Sequence, residues 1–290
     1  MTPPDDTGML GDKRVRRIGY GAMQLAGPGV FGPPRDRDAA IAVLRRAVAL
    51  GVDHIDTSQY YGPDVVNELI REALHPYPER LRLVTKVGAR RDADGAWLAA
   101  QRPQELRAGV EDNLRTLGVD RMDLVNLREM PADLDQDVPL PERLGVLEDM
   151  RGEGKLDLIG ISSVTRAQAE AALALADVAC VQNPYSVLDR SSEDALDLCR
   201  ERDLAFVPFF PLGSAFTGGP ARLAAHPAIS AVAAAHDATP SQIALAWLLH
   251  RDRRILLIPG TASVEHLEEN VAAGAIALDS DELATLDAVA

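Results

Sequence analysis

The segment HIDTSQYYG (residues 54–62) carries an apolar run into Asp56 and follows it with Tyr60, Tyr61 and Gly62. A strand that only packs has no need of a carboxylate at its buried end, where an ionised group is costly without a cationic partner. Lys86, near the end of LVTKVG (83–88), is a candidate partner. An aspartate, a lysine and a tyrosine in one place can run a proton transfer: the carboxylate holds the ammonium, and the ammonium favours the phenolate. At about 4 Å and an effective dielectric near 20 this is worth up to ~4 kcal/mol, or roughly three pKa units below the ordinary tyrosine value near 10. The phenol then comes into range for proton donation at neutral pH. Spacing alone leaves Tyr60 and Tyr61 both open for the role.

Other apolar runs also end in residues that can do chemistry. NLRE ends on Asn126 and Arg128, GISSV on Ser162 and Ser163, and VQN on Gln182 and Asn183. FVPFFP supplies Phe209 and Phe210, and ILLIPGT supplies Gly260 and Thr261. Any one of these is explained by a satisfied polar residue. Seven runs with such ends argue for a shared site.

The elements that must position them alternate along the chain. Strand candidates lie at 16–23, 54–58, 81–88, 123–129, 158–164, 178–184, 205–211 and 255–260. Helical stretches lie at 36–50, 64–74, 103–117, 139–152, 165–176, 190–202, 240–250 and 263–273. In the first of these helices Ala40, Val43, Leu44, Ala47 and Val48 fall on one face, and Gly51 stops it. Eight strands alternating with eight helices predict a single-domain α/β fold, a (β/α)8 TIM barrel, with the polar strand ends on its C-terminal rim. An open doubly wound sheet is the runner-up, but no GxGxxG follows the first strand. No linker divides residues 1–290. Residues 1–12 or so are expected to be poorly ordered, and helical excess at 223–250 and 280–290 reads as additions.

Composition narrows the partners. The formal net charge is −14 over 290 residues, which argues against nucleic acid or an anionic membrane as partner. No apolar run approaches the ~20 residues of a membrane span, and the N-terminus lacks an apolar signal core, so a cytoplasmic location is expected. The two cysteines, Cys180 and Cys199, stand in no Cys/His cluster. They read as reduced core thiols, and no metal site is expected.

Six motifs in order resemble those of the aldo-keto reductases, across nearly the whole chain. They are DTSQYYG, LVTKVG, GISSV, VQNPYS, FFPLG and IPGTASVEHLEEN. The resemblance implies an NADPH-dependent (β/α)8 carbonyl reductase and selects Tyr61 over Tyr60. Asp56, Tyr61 and Lys86 would be catalytic. Ser162, Ser163 and Gln182 would hold the nicotinamide carboxamide, and Phe209 would stack on the ring. Thr261, His266, Glu269 and Asn270 would surround the adenosine and its 2′-phosphate. Gly21, Ala22 and Met23, the turn Pro211, Leu212, Gly213 and Ser214, and Pro259 with Gly260 would complete the cofactor path.

The departures from the family pattern carry information. Arg128 stands where the family usually has a catalytic histidine. Arginine stays protonated and cannot shuttle a proton, yet it can donate hydrogen bonds to a carbonyl oxygen or hold an anionic group. Gly260 and His266 replace a frequent lysine and arginine, which weakens the expected preference for NADPH over NADH. Phe209 replaces a stacking tyrosine, and Ser163 an asparagine. Further segments, among them GYGAMQLAGPGVFGPPRDRD and VPFFPLG, look like bacterial members of the family that reduce pyridoxal and share the arginine. That likeness implies reduction of pyridoxal to pyridoxine, with loop Gly27–Arg35 at the substrate mouth and Arg35, Trp97 and Phe216 as further substrate contacts. The alternatives are a reductase of another aldehyde or ketone, a channel-β-subunit-like regulatory module, and a phosphate-ester barrel using the GGP at 218–220. The partner expected is a small carbonyl compound, with the chain a monomer or small homo-oligomer.

Overall fold

The computed structural model describes residues 4–131, 133–134, 137–214 and 218–290. The chain opens with a hairpin of β1 (Thr7–Leu10) and β2 (Lys13–Arg16), in which Leu10 pairs with Lys13 across a two-residue turn. The alternating core follows: β3 (Tyr20–Gly21), α1 (Arg37–Ala49), β4 (His54–Asp56), α2 (Val65–Leu74) and β5 (Arg82–Arg91). An added strand β6 (Trp97–Ala100) precedes α3 (Pro103–Leu117), β7 (Met122–Arg128), α4 (Leu140–Gly152) and β8 (Leu156–Ser162). Then come α5 (Arg166–Leu173), β9 (Val178–Gln182), α6 (Glu193–Arg202) and β10 (Ala205–Phe206). The chain ends with α7 (Gly219–Ala225), α8 (Pro227–Ala235), α9 (Pro240–Arg251), α10 (Val264–Ala272) and α11 (Ser280–Asp287).

The parallel strands run in the order β3, β4, β5, β7, β8, β9, β10. Residues around 255–257 close the ring, bridging Phe206 on one side and Ile18 on the other. Local signals set the helices. Asp36 caps α1 by accepting from the Ala39 N–H, and Thr239 with Gln242 forms a reciprocal capping box before Pro240 of α9. The main core lies between the strands and the helix layer. A smaller cluster inside the ring joins Val84, Leu124, Cys180, Val207 and Leu256 to Leu10 and Val15 of the hairpin.

Three sequence expectations are corrected. Residues 7–12 are ordered, because the hairpin turns Leu10 and Val15 into the barrel interior and plugs it. The seventh and eighth runs make much shorter ladders than 205–211 and 255–260, since Pro208, Pro211 and Pro259 have no N–H to donate. The β6 strand was not among the eight. It pairs antiparallel with the outer half of β5, where Trp97 meets Arg91, and so lies above the barrel wall.

Candidate active site

A cleft opens at the C-terminal ends of the strands. Among the residues lining it are Asp56, Tyr61, Lys86, Trp97, Arg128, Ser162 and Ser163. Gly21, Met23, Phe209, Pro211, Leu212, Gly213, Pro259 and Gly260 line its other walls. The register explains the convergence: Asp56 ends β4, Lys86 pairs with Asn126 of β7, and Arg128 pairs with Ser162.

Lys86 Nζ donates to Asp56 Oδ1 and, at 3.2 Å, to the Thr57 carbonyl. The other carboxylate oxygen, Asp56 Oδ2, accepts from Gln182 Nε2 at 2.9 Å. All three side chains are buried. Lys86 Nζ lies 5.0 Å from the centre of the Tyr61 ring. Burial works against the ammonium, but Asp56 and Tyr61 outweigh it and hold Lys86 above its ordinary pKa. Lys86 therefore stays charged.

Tyr61 corrects an expectation. Loss of hydration raises its pKa, Lys86 lowers it, and the balance stands at about 12. Burial outweighs the lysine, whose charge Asp56 partly offsets. The Gly62 that follows has a structural cause. It sits at φ +90, and a Cβ there would meet Val65 Cβ at 2.7 Å, so the tight turn behind Tyr61 needs glycine. Beneath this turn runs a buried polar network, with Thr57 Oγ1 on Asn67, Asn67 on Asn113, and Asn113 Nδ2 on Gln59 Oε1. Tyr60 packs edge-on between Tyr61 and Trp97 and does not line the cleft.

Arg128 lies 5.0 Å from the Trp97 ring and 6.0 Å from that of Tyr60. Burial disfavours its charge, but the tyrosine hydroxyls beside it leave it above the ordinary guanidinium value. Trp97, expected from the sequence as a further substrate contact, is part of the wall. Arg91 was not singled out at all. It stacks on Trp97 at 4.2 Å and donates to the carbonyls of Gly29, Val30 and Gly95, so it ties the mouth loop to the β5–β6 ribbon. No local pattern announces it. Gln24, Val30, Phe210 and Ile258 also line the cleft without having been named.

The remaining candidates are placed differently. Ala22 and Gln182 are buried outside the cleft lining. Arg35 borders an adjoining hollow with Pro28 and Ala262. Ser214 stands past the lining turn, and Phe216 lies outside the described residues. Thr261, His266, Glu269 and Asn270 follow Gly260 into α10 without lining the cleft. There Thr261 Oγ1 accepts from the Ser263 N–H, and Ser263 caps α10 through the His266 N–H.

The residues present fit a nicotinamide end group. Gln182 Oε1 is a buried acceptor with no partner, on a side chain that bonds the cleft residue Asp56. Phe209 offers an aromatic face, set edge-on to Phe210. Ser163 takes φ +62, a backbone that asparagine tolerates better than serine. Gly260 and Gly21 press together, since a Cβ on Gly260 would lie 2.5 Å from the Gly21 carbonyl oxygen. The missing lysine therefore cannot simply be restored. Gly260→Lys is expected to destabilise the fold by about 1–3 kcal/mol through overpacking. It should weaken NADPH binding rather than tighten it, as a thermal melt and a fluorescence titration would show.

The sequence comparisons agree with this geometry. The model of the Aldo/keto reductase family matches residues 17–290. The chain is 52% identical over 286 residues to pyridoxine 4-dehydrogenase of Escherichia coli strain K12, covering 98% of each chain. It is 38% identical to an uncharacterised oxidoreductase of Schizosaccharomyces pombe, over 96% of this chain and 88% of that one. An aldo/keto reductase of Klebsiella pneumoniae, solved with NADP and acetate, superposes with a TM-score of 0.81 at 29% identity, covering 98% and 95% of the two chains. The chain belongs to the aldo/keto reductase family.

Proposed function

We propose that this protein is an NADPH-dependent carbonyl reductase that reduces pyridoxal to pyridoxine, with Tyr61 as proton donor. The observation that carries the reading is the convergence of buried Asp56, Lys86 and Tyr61 at the cleft, beside the unpartnered Oε1 of Gln182. The pyridoxine 4-dehydrogenase relative, at 52% identity, supports the substrate. The NADP-bound neighbour supports the cofactor.

NADPH, when bound, supplies the hydride. The protein's own residues do the rest. Tyr61 donates its proton to the carbonyl oxygen as negative charge develops there. Lys86 steadies the phenolate left behind, Asp56 holds Lys86 in place, and Gln182 fixes the second oxygen of Asp56. Ser162, Ser163 and Gln182 would hold the nicotinamide carboxamide, and Phe209 would stack on its ring. Trp97 and Arg128 wall the substrate side. Thr261, His266, Glu269 and Asn270 would lie around the adenosine and its 2′-phosphate.

The test is NADPH oxidation by the purified protein with pyridoxal, with NADH in parallel. Turnover with either cofactor supports the reading, and the NADPH-to-NADH ratio measures what Gly260 and His266 allow. Cofactor binding without turnover of pyridoxal would remove the substrate.

A pH asymmetry follows from the Tyr61 value of about 12. Reduction needs the phenol, which is protonated throughout pH 6–10, so its kcat should be flat there. Oxidation of the alcohol needs the phenolate, whose fraction grows about tenfold per pH unit below the pKa. The oxidation rate should climb accordingly from pH 7 upward and level off only as the pH nears that value. Identical pH–rate profiles in the two directions would rule out Tyr61 as the titrating group.

Among the described residues no helix is long and apolar enough to cross a membrane. Among the described residues the large hydrophobic side chains that stand exposed are Met9 and Leu175, too little apolar surface for a stable interface, which favours a monomer. Light scattering decides this.

A further inference from the structure

Two cations line the cleft, and they are not equivalent. Lys86 is neutralised by Asp56. Among the described residues no carboxylate pairs with Arg128. Its neighbour in sequence, Glu129, is committed to Arg143 at 2.7 Å. Around Arg128 stand the rings of Trp97 and Tyr60 and the hydroxyls of Tyr60 and Tyr61, none of them a carboxylate that would cancel its charge. Its position is built, too. Gln101 Nε2 holds the Arg128 carbonyl at 3.1 Å, and Trp97 is stacked by Arg91, itself tied to three backbone carbonyls. The result is one uncompensated, half-buried guanidinium at the substrate wall of a chain with net charge −14. Leaving such a charge unpaired is costly, and an anionic ligand group relieves the cost.

We infer that Arg128 selects aldehydes that carry an ionised oxygen adjacent to the carbonyl, pairing with that oxygen while Tyr61 holds the carbonyl oxygen. This rests on the carbonyl-reductase reading and names its substrate class. Pyridoxal belongs to the class, since its ring hydroxyl is ortho to the aldehyde. The pairing also has a chemical consequence. An ortho phenolate feeds electron density into the aldehyde and makes its carbon a poorer hydride acceptor. A guanidinium on that oxygen draws the density back. No bond to the phenolate oxygen forms or breaks. Hydride adds to the carbonyl carbon, the C=O π pair moves to oxygen, and that oxygen takes the Tyr61 proton, which solvent restores.

The experiment compares matched aldehydes: salicylaldehyde against benzaldehyde and 2-methoxybenzaldehyde, and pyridoxal against pyridine-4-carbaldehyde. The wild-type protein should favour the hydroxylated member by about 10–100-fold in kcat/KM. Arg128→Met should bring each pair within a few-fold, mainly through KM, and Arg128→Lys should recover part of the preference. In the wild type, KM for salicylaldehyde should fall as pH rises through the phenol's own pKa. Benzaldehyde should show no such trend, and the Met variant should lose it. NADPH binding and a thermal melt check that each variant is folded. If Arg128→Met fails to fold, the wild-type comparison and its pH profile still decide. Equal kcat/KM within each pair in the wild type, with reduction proceeding, would overturn the inference and leave the reductase reading intact. No reduction of any aldehyde would overturn that reading and the inference with it.

Discussion

Tyr61→Phe is expected to lower kcat for aldehyde reduction by about 10²–10⁴-fold, the usual contribution of a positioned general acid. NADPH affinity should stay within a few-fold. The reason lies in what the hydroxyl does and does not hold. Lys86 Nζ keeps its bonds to Asp56 and the Thr57 carbonyl without it, and the phenylalanine ring keeps the edge-on contact with Tyr60. Melting temperature should therefore barely move. Lys86→Met is the instructive contrast. It leaves Asp56 buried with only Gln182 as partner, so it should cost both activity and stability. Steady-state kinetics, a binding titration and a melt on the two variants separate these roles. A Tyr61→Phe enzyme that kept most of its turnover would assign the proton to another group.

The largest effect on stability should come from a pair that takes no part in chemistry. Arg143 of α4 and Glu129, just past β7, form an ion pair at 2.7 Å with each residue only 6% exposed. Arg143→Met strands a carboxylate in the wall between barrel and helix layer. The expected loss is about 3–5 kcal/mol, because the remaining charge keeps its desolvation cost and loses its counter-charge. For a chain of this size the melting temperature should drop by roughly 6–10 °C. Removing both charges, as Glu129→Leu with Arg143→Met, should recover most of the loss, since apolar side chains of similar size can replace a buried pair. Denaturant unfolding of the two single variants and the double variant gives the coupling directly. Additive losses would mean that the pair does not interact in solution.

How far the sequence reached depends on how local the governing physics was. The alternation of apolar runs and helical periodicities is local, and it determined the eightfold barrel. The order of polar strand ends, from Asp56 to Gly260, also put the site on one rim, because parallel strands fed by right-handed crossovers must end on the same face. The candidate triad of Asp56, Tyr61 and Lys86 was legible for the same reason. Burial and pairing across the fold were not local. The Tyr61 value near 12 comes from its desolvation, which no spacing reports. Gln182 reaches Asp56 across 126 residues and so supports the triad from a distant strand. The barrel plug, the ribbon that brings Trp97 to the wall, and the contact of Gly21 with Gly260 depend on distant segments meeting. That Arg128 is charged follows from its residue type alone. That no carboxylate among the described residues pairs with it was decided only by the tertiary structure, where Arg143 of another element takes the carboxylate next to it in sequence.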